Sequence, residues 1–315
     1  GSKPAGAGMA VRGNRKTRSR VVVVPETVHP HYRDAAANIV RHQGVEIVSV
    51  PVGVDGLLDA DALNRIDQAA ALVVQQPNFF GLLENADRLA DWAHDHGALL
   101  VAVVNPMSLA LLKAPGDWGL EGADIACGDG QPFGIPMASG GPSFGFMCAR
   151  QALVRQMPGR IIGRTEDLDG RCGFTLTLQA REQHIRRGKA TSNICTNQGL
   201  LVSAATIFLS LLGSRGLHRI AAACHANTGA LVTALTELEG VSERFHGPYF
   251  HERVIDLPVA AADVVDSMLD SGVLAGLDLG RYYPQMSNSL LLCATEKRTP
   301  GDIERFRVGL EACLA

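Results

Sequence analysis

Short, continuous runs of apolar residues alternate with amphipathic segments over the first half of the chain. The apolar runs predict strands at Val21–Val24, Val45–Pro51, Ala70–Gln75, Leu99–Val104, Ala123–Ala126 and Phe144–Ala149. The segments between them predict helices at Pro30–Gln43, Asp59–Gln68 and Glu84–His96. Continuous apolar strands are typical of a parallel sheet covered on both faces, and their alternation with helices favours a doubly wound α/β domain.

The pattern changes after this region. Leu176–Gly188 is polar and arginine-bearing, and Asn193–Leu212 then predicts a long apolar helix that continues over Ala222–Glu239. Strand–helix–strand at His251–Leu257, Ala261–Asp270 and Leu290–Ala294, with a closing helix at Pro300–Leu314, indicates a smaller α+β lobe. We therefore expect a tail or linker at 1–19, a large α/β domain at 20–190, and an interdomain helix with a small domain at 191–315.

Composition excludes several classes of protein. Of 315 residues, 46% are hydrophobic and 19% charged, which is typical of a globular protein. The formal net charge of −3 gives no reason to expect nucleic acid or an anionic membrane as a partner, and no continuous apolar run reaches the length of a membrane span. Seven scattered cysteines without a C-x-x-C pair indicate reduced thiols and a cytoplasmic location.

Few residues suggest chemistry by spacing alone. His94 and His96 do not share a helix face, so we expect no metal site there, and His29-Pro30-His31 is interpreted as a polar helix start. Glycines at 128, 130, 140 and 141 fit no dinucleotide fingerprint. The basic residues Arg181, Arg186, Arg187 and Lys189 are interpreted as a solvated face, with an interface or anion site as the alternative.

Four longer motifs are more specific. They are Val24–Tyr32, Gln75–Phe80, Asp129–Phe146 and Ala190–Gln198. The chain resembles the pyridoxal-phosphate-dependent glycine decarboxylase family, the P-protein of the glycine cleavage system, from about Met9 to its end. The resemblance is to the α (N-terminal-half) subunit of the two-subunit type, and it implies an aspartate-aminotransferase-like, fold type I architecture. Since such subunits carry a further N-terminal stretch, we expect this chain to be N-terminally truncated.

The resemblance also implies a degenerate cofactor site. Fold type I enzymes bind pyridoxal phosphate covalently through a lysine amine, and an aspartate keeps its pyridine nitrogen protonated. Gln131 stands where the catalytic half of the family has the lysine, and Asn105 where it has the aspartate. An amide forms no imine and supplies no counter-charge. The chain has only five lysines, Lys3, Lys16, Lys113, Lys189 and Lys297, and none is well placed in the sequence.

The family therefore implies a chain that is inactive alone. Its partner would be a β subunit that holds pyridoxal phosphate, decarboxylates glycine and transfers the aminomethyl group to the lipoylated H-protein. Thr191, Ser192 or Asn193, just before the long helix, would contact the partner's cofactor, unless they merely cap the helix. Two alternatives stay open: an autonomous pyridoxal-phosphate enzyme of aminotransferase or desulfurase type using Lys113 or Lys189, and a pure assembly module.

Overall fold

A six-stranded sheet forms the centre of the first domain in the computed structural model, which describes residues 2–190 and 198–315. Its strands are β1 (Val21–Val23), β2 (Glu46–Val48), β3 (Ala71–Gln76), β4 (Leu99–Val104), β5 (Ile125–Asp129) and β6 (Gly145–Ala149). They lie in the order β2-β1-β3-β4-β5-β6, and all are parallel except β6, which runs antiparallel to β5. The predicted parallel α/β sheet is thus confirmed, with one antiparallel edge strand.

Helices cover both faces of this sheet. They are α1 (Ser2–Gly13), α2 (Pro30–Val40), α3 (Ala60–Leu63) and α4 (Ala86–Asp95). Alternate residues of β4 enter two separate cores: Val101 and Val103 pack with Met9 of α1, whereas Leu100 and Ala102 pack with Ala90 of α4. This alternation explains why the strand is apolar at every position.

Helix α1 corrects one expectation. Residues 1–19 were interpreted as a tail, but Ser2–Gly13 is helical, and its Ala7, Met9 and Ala10 are buried against the sheet. The segment is rich in glycine and has little amphipathic character, so neither propensity nor periodicity signals a helix. Tertiary packing against β4 and β5 supplies what the local sequence lacks.

A two-stranded hairpin follows the first sheet and was missed by the sequence pattern. Its strands β7 (Ile161–Glu166) and β8 (Cys172–Thr177) pair with each other and with no further strand of the described residues. The short helix α5 (Gln183–Arg186) comes next. Because Ile162, Phe174 and Leu176 are exposed, the hairpin has no buried face that would have produced a clear apolar alternation.

The second domain is an α+β unit joined to the first by a long helix. Its sheet has the order β11-β12-β10-β9, all antiparallel, from β9 (Ser242–Glu243), β10 (Glu252–Asp256), β11 (Leu277–Asp278) and β12 (Ser289–Cys293). Its helices are α6 (Gly199–Thr236), α7 (Ala261–Asp270) and α8 (Pro300–Leu314). Thr299 and Asp302 form a reciprocal capping box that begins α8.

Helix α6 is the joining element, and it is kinked at Gly213, whose φ is 59° and ψ −175°. Its C-terminal half buries Leu231, Val232 and Leu235 in the core of the small domain. Over the described residues it is also the one helix long and apolar enough to span a membrane by length and composition. That criterion alone is weak, because core helices of soluble proteins satisfy it too.

Candidate active-site cleft

Polar side chains gather where the parallel strands end. The carboxyl ends of β1, β3, β4 and β5 share one edge of the sheet, where ligands of open α/β sheets bind. Asn105 follows β4 and Gln131 lies two residues beyond β5, so the structure places both predicted degenerate positions at this edge. Across the edge lies the start of the small domain, since Tyr249 bridges to Leu82 and the N–H of Phe250 donates to the carbonyl of Gly81.

Gln131 is held by its own loop. Its side-chain amide donates to the carbonyl oxygen of Ile135 at 2.6 Å, and its backbone N–H donates to the carboxylate of Asp129 at 2.9 Å. Asp129 also accepts a hydrogen bond from the hydroxyl of Ser143 at 2.5 Å. The side-chain amide nitrogen therefore closes a turn within the loop.

Asn105 connects the two domains. Its side-chain oxygen accepts the N–H of Met107 at 3.0 Å, and its amide nitrogen lies 3.4 Å from Nε2 of His251. Since the amide nitrogen can only donate, Nε2 accepts, and the proton of neutral His251 sits on Nδ1. Burial lowers the pKa of His251 to about 4, a shift that Glu296 partly opposes.

Aromatic side chains lie at the same edge of the sheet. We call the space between this edge and the start of the small domain the cleft. The backbone N–H of His29 donates to the side-chain oxygen of Gln75 at 2.9 Å, and the imidazole stacks on Tyr32 with ring centroids 4.6 Å apart. Burial raises the pKa of Tyr32 to about 12, helped by the negative charges of Asp129 and Glu252. Tyr32 is therefore close to the end of β5 and to β10 of the small domain.

The interpretation of His29-Pro30-His31 as a polar helix start is confirmed, because Nδ1 of His29 accepts the N–H of His31 at 3.1 Å. The placement of His29 at the cleft was missed. His94 and His96 have different partners. His94 hydrogen-bonds the buried Asp124 at 2.9 Å, and His96 stacks on Trp92.

The residues of this edge do not fit covalently held pyridoxal phosphate. By the family resemblance, Gln131 and Asn105 stand where the cofactor needs an amine and a carboxylate, and both side chains end in amides. Lys113 is paired with Asp87 of α4 at 2.9 Å, and both side chains are about half exposed. Lys16 follows Asn14, whose amide donates to the carbonyl of Gly97 at the opposite edge of the sheet. Thr191, Ser192 and Asn193 lie outside the described residues.

Three comparisons identify the family. A family model described as glycine cleavage system P-protein matches residues 1–308. The chain belongs to the glycine cleavage system P-protein family. Two relatives, from Nitrosomonas europaea and Thioalkalivibrio sulfidiphilus, are each named probable glycine dehydrogenase (decarboxylating) subunit 1. They are 57% and 56% identical to this chain, and each alignment covers 98% of the chain and 68% of the relative.

Solved structures agree with this P-protein assignment. A crystal structure of glycine decarboxylase (P-protein) of the glycine cleavage system, in inhibitor-bound form, matches with a TM-score of 0.91 at 37% identity, over 99% of this chain and 69% of the other. Sphingosine-1-phosphate lyase from Burkholderia pseudomallei, at 20% identity, matches with a TM-score of 0.71 and supports the fold alone. The predicted family and the fold type I architecture are confirmed, and the chain spans about two thirds of the length of its relatives.

Proposed function

We propose that this chain is the non-catalytic subunit of a cytoplasmic, two-subunit glycine decarboxylase. The observation that carries the proposal is the engagement of Gln131 and Asn105, at the two positions that a cofactor-bearing subunit needs, in hydrogen bonds of this chain's own fold. The name of its relatives, subunit 1, supports a second subunit. That partner would hold pyridoxal phosphate, which supplies the electron sink for decarboxylation of glycine.

The role of this chain is then to complete the enzyme. It would cover one side of the partner's cleft, exclude water from it and help to seat the lipoyl arm of the H-protein. Its own cleft would stay without a covalent cofactor, because an amide nitrogen is not nucleophilic. The comparisons favour neither an autonomous aminotransferase or desulfurase nor a pure assembly module.

Borohydride trapping tests which subunit binds pyridoxal phosphate covalently. The chain, its candidate β partner and their mixture are each incubated with pyridoxal phosphate, reduced and analysed for labelled lysine, and glycine-dependent release of carbon dioxide is measured in parallel. We expect label on the partner only, and carbon dioxide release only in the mixture. A trapped lysine on this chain supports the autonomous enzyme, and full turnover by the partner alone supports the assembly module.

We further propose that Thr191, Ser192 or Asn193 borders the partner's cofactor, on the basis of their position before the interdomain helix. Replacing Thr191 and Ser192 with alanine then lowers kcat of the assembled enzyme without weakening assembly. Thr236→Ala is the control, because this hydroxyl donates to carbonyls within α6 at the C-terminal end of the helix. Equal losses of assembly and turnover in the Thr191/Ser192 variant would show that these residues only cap the helix.

A further inference from the structure

A cavity of about 660 Å³ opens beside the loop that follows Gln131. Met137 of that loop lines one side, and the small domain lines the rest with parts of β10, β12, α8 and residues 272–276. Its volume lies within the range of sites for small molecules. Most of the lining is apolar, including Leu231, Leu291 and Phe306, so a ligand would place a hydrocarbon group there.

Glu252 is an unsatisfied acid in this lining. Its carboxyl makes no hydrogen bond or ion pair with any residue in 2–190 and 198–315. Burial raises its pKa to about 7. The side chain is partly buried, and a ligand with a cationic N–H donor would give its carboxyl the partner that the described chain does not supply.

Arg298 is an exposed cation on the same cavity, and its charge also acts on Asp302. Its backbone carbonyl accepts from Asn227, but its guanidinium has no hydrogen-bond or ion-pair partner over the described part of the chain. The other carboxylate in the lining, Asp302, is already engaged with the N–H and hydroxyl of Thr299. Glu252 and Arg298 both act electrostatically on the thiol of Cys293, which places them on the same part of the wall.

We propose that this cavity binds a free α-amino acid with an apolar side chain, with its ammonium on Glu252 and its carboxylate on Arg298. The zwitterion satisfies both unpaired groups at once, and its side chain packs among the leucines and Phe306. Met137, which is 77% exposed, would close over it. Because Met137 continues the loop of Gln131, occupancy of this second site is coupled to the wall of the cleft.

Calorimetric titration of the full chain with three related ligands tests each contact. Leucine carries both charged groups, 4-methylpentanoate lacks the ammonium, and leucinamide lacks the carboxylate. We expect leucine to bind and each analogue to bind at least about tenfold more weakly, as for loss of one charged hydrogen bond. The proposal is overturned if leucine, methionine and phenylalanine all have Kd values above about 10 mM, or if the three related ligands bind alike.

Two substitutions assign the contacts. Glu252→Gln should erase the preference for leucine over 4-methylpentanoate, and Arg298→Gln the preference for leucine over leucinamide. Glu304→Gln and Arg281→Gln are matched controls, because these side chains are largely exposed and do not line the cavity. Preferences that survive both cavity variants would place the ligand elsewhere. The assay needs no partner and no turnover, so its outcome is independent of the proposed decarboxylase role.

Discussion

Two neighbouring residues at the domain junction have opposite pH dependence. Burial lowers the pKa of His251 from 6.5 to about 4, so the unfolded chain binds more protons there, and this contribution to stability rises with pH across that window. Burial raises the pKa of Glu252 from 4.5 to about 7, so the folded chain binds more protons, and this contribution falls as pH rises through that window. Between about pH 4.5 and 6.5 the two effects oppose each other.

Substitution of Glu252 separates its contribution to the pH dependence of stability from that of His251. Glu252→Gln keeps the shape but removes the ionisation, so its free energy of unfolding should gain on the wild type as pH rises from 4.5 to about 7, by at most about 3 kcal/mol. Urea unfolding at a series of pH values from about 4.5 to about 7.5 measures this gain, because the series spans the unfolded and folded pKa values of the carboxyl. A constant difference between variant and wild type would show that Glu252 ionises normally in the folded chain.

Asn105 is the neutral neighbour of His251 at the same domain junction. Asn105→Asp would place a carboxylate beside Nε2 of His251, and the negative charge should raise the histidine pKa above 4 by about 1–3 pH units. Asn105→Leu, which is similar in size and neutral, should leave the pKa low. Titration of the imidazole by NMR reports both values. Equal pKa values in the two variants would mean that Asn105 does not face His251.

Sequence reasoning located some of these residues and missed others for a physical reason. Gln131 and Asn105 were singled out because the family resemblance places them where the catalytic half has its lysine and its aspartate, and no local hydrophobic pattern marks either residue. His251 and Glu252 were predicted only as part of a strand. The preceding residues Tyr249 and Phe250 contact Leu82 and Gly81, about 170 residues away along the chain, and no local pattern records such contacts.

At the level of elements, the predicted bounds agree best with the structure where tertiary packing and local sequence signals favour the same element. The strand Leu99–Val104 and the helices Ala261–Asp270 and Pro300–Leu314 have the predicted bounds. The helix predicted at Asp59–Gln68 is shortened to Ala60–Leu63, although Asp59 caps it as its position suggests. Only Leu63 of this helix is buried, so little packing energy exists to extend it.

Two glycine-to-alanine substitutions test whether the fold requires the kink in α6. Gly213→Ala forces a β-carbon onto φ 59° and ψ −175°, which should cost about 1–3 kcal/mol of stability or straighten the helix. Gly199→Ala in the first turn of α6 also meets open space, has no positive φ, and should be neutral or slightly stabilising. Thermal unfolding of both variants measures the difference. A neutral Gly213→Ala with unchanged helix content would show that the kink is not required.

At the scale of the whole molecule, the N-terminal half of α6 presents apolar side chains to water. Leu200, Ile207 and Leu211 are 83%, 61% and 82% exposed, and their spacing puts them on one helix face. The C-terminal half of the same helix packs into the small domain, and the large exposed apolar side chains of α6 all precede the kink. Contiguous exposed apolar surface of this kind marks an interaction site. We expect the proposed second subunit to cover this face.

A single charge on this face distinguishes assembly from folding. Leu211→Glu removes no buried contact of the chain, so its melting temperature alone should stay close to that of the wild type. Its Kd for the partner subunit should rise at least about tenfold, because a carboxylate would be buried without a counter-charge. Leu120→Glu is the matched control: Leu120 is 93% exposed and lies on the loop before β5.

Sedimentation of each variant with the partner measures assembly. Equal binding by both variants would place the interface elsewhere, whereas selective loss in Leu211→Glu would explain why a helix apolar enough to span a membrane is found between two folded domains.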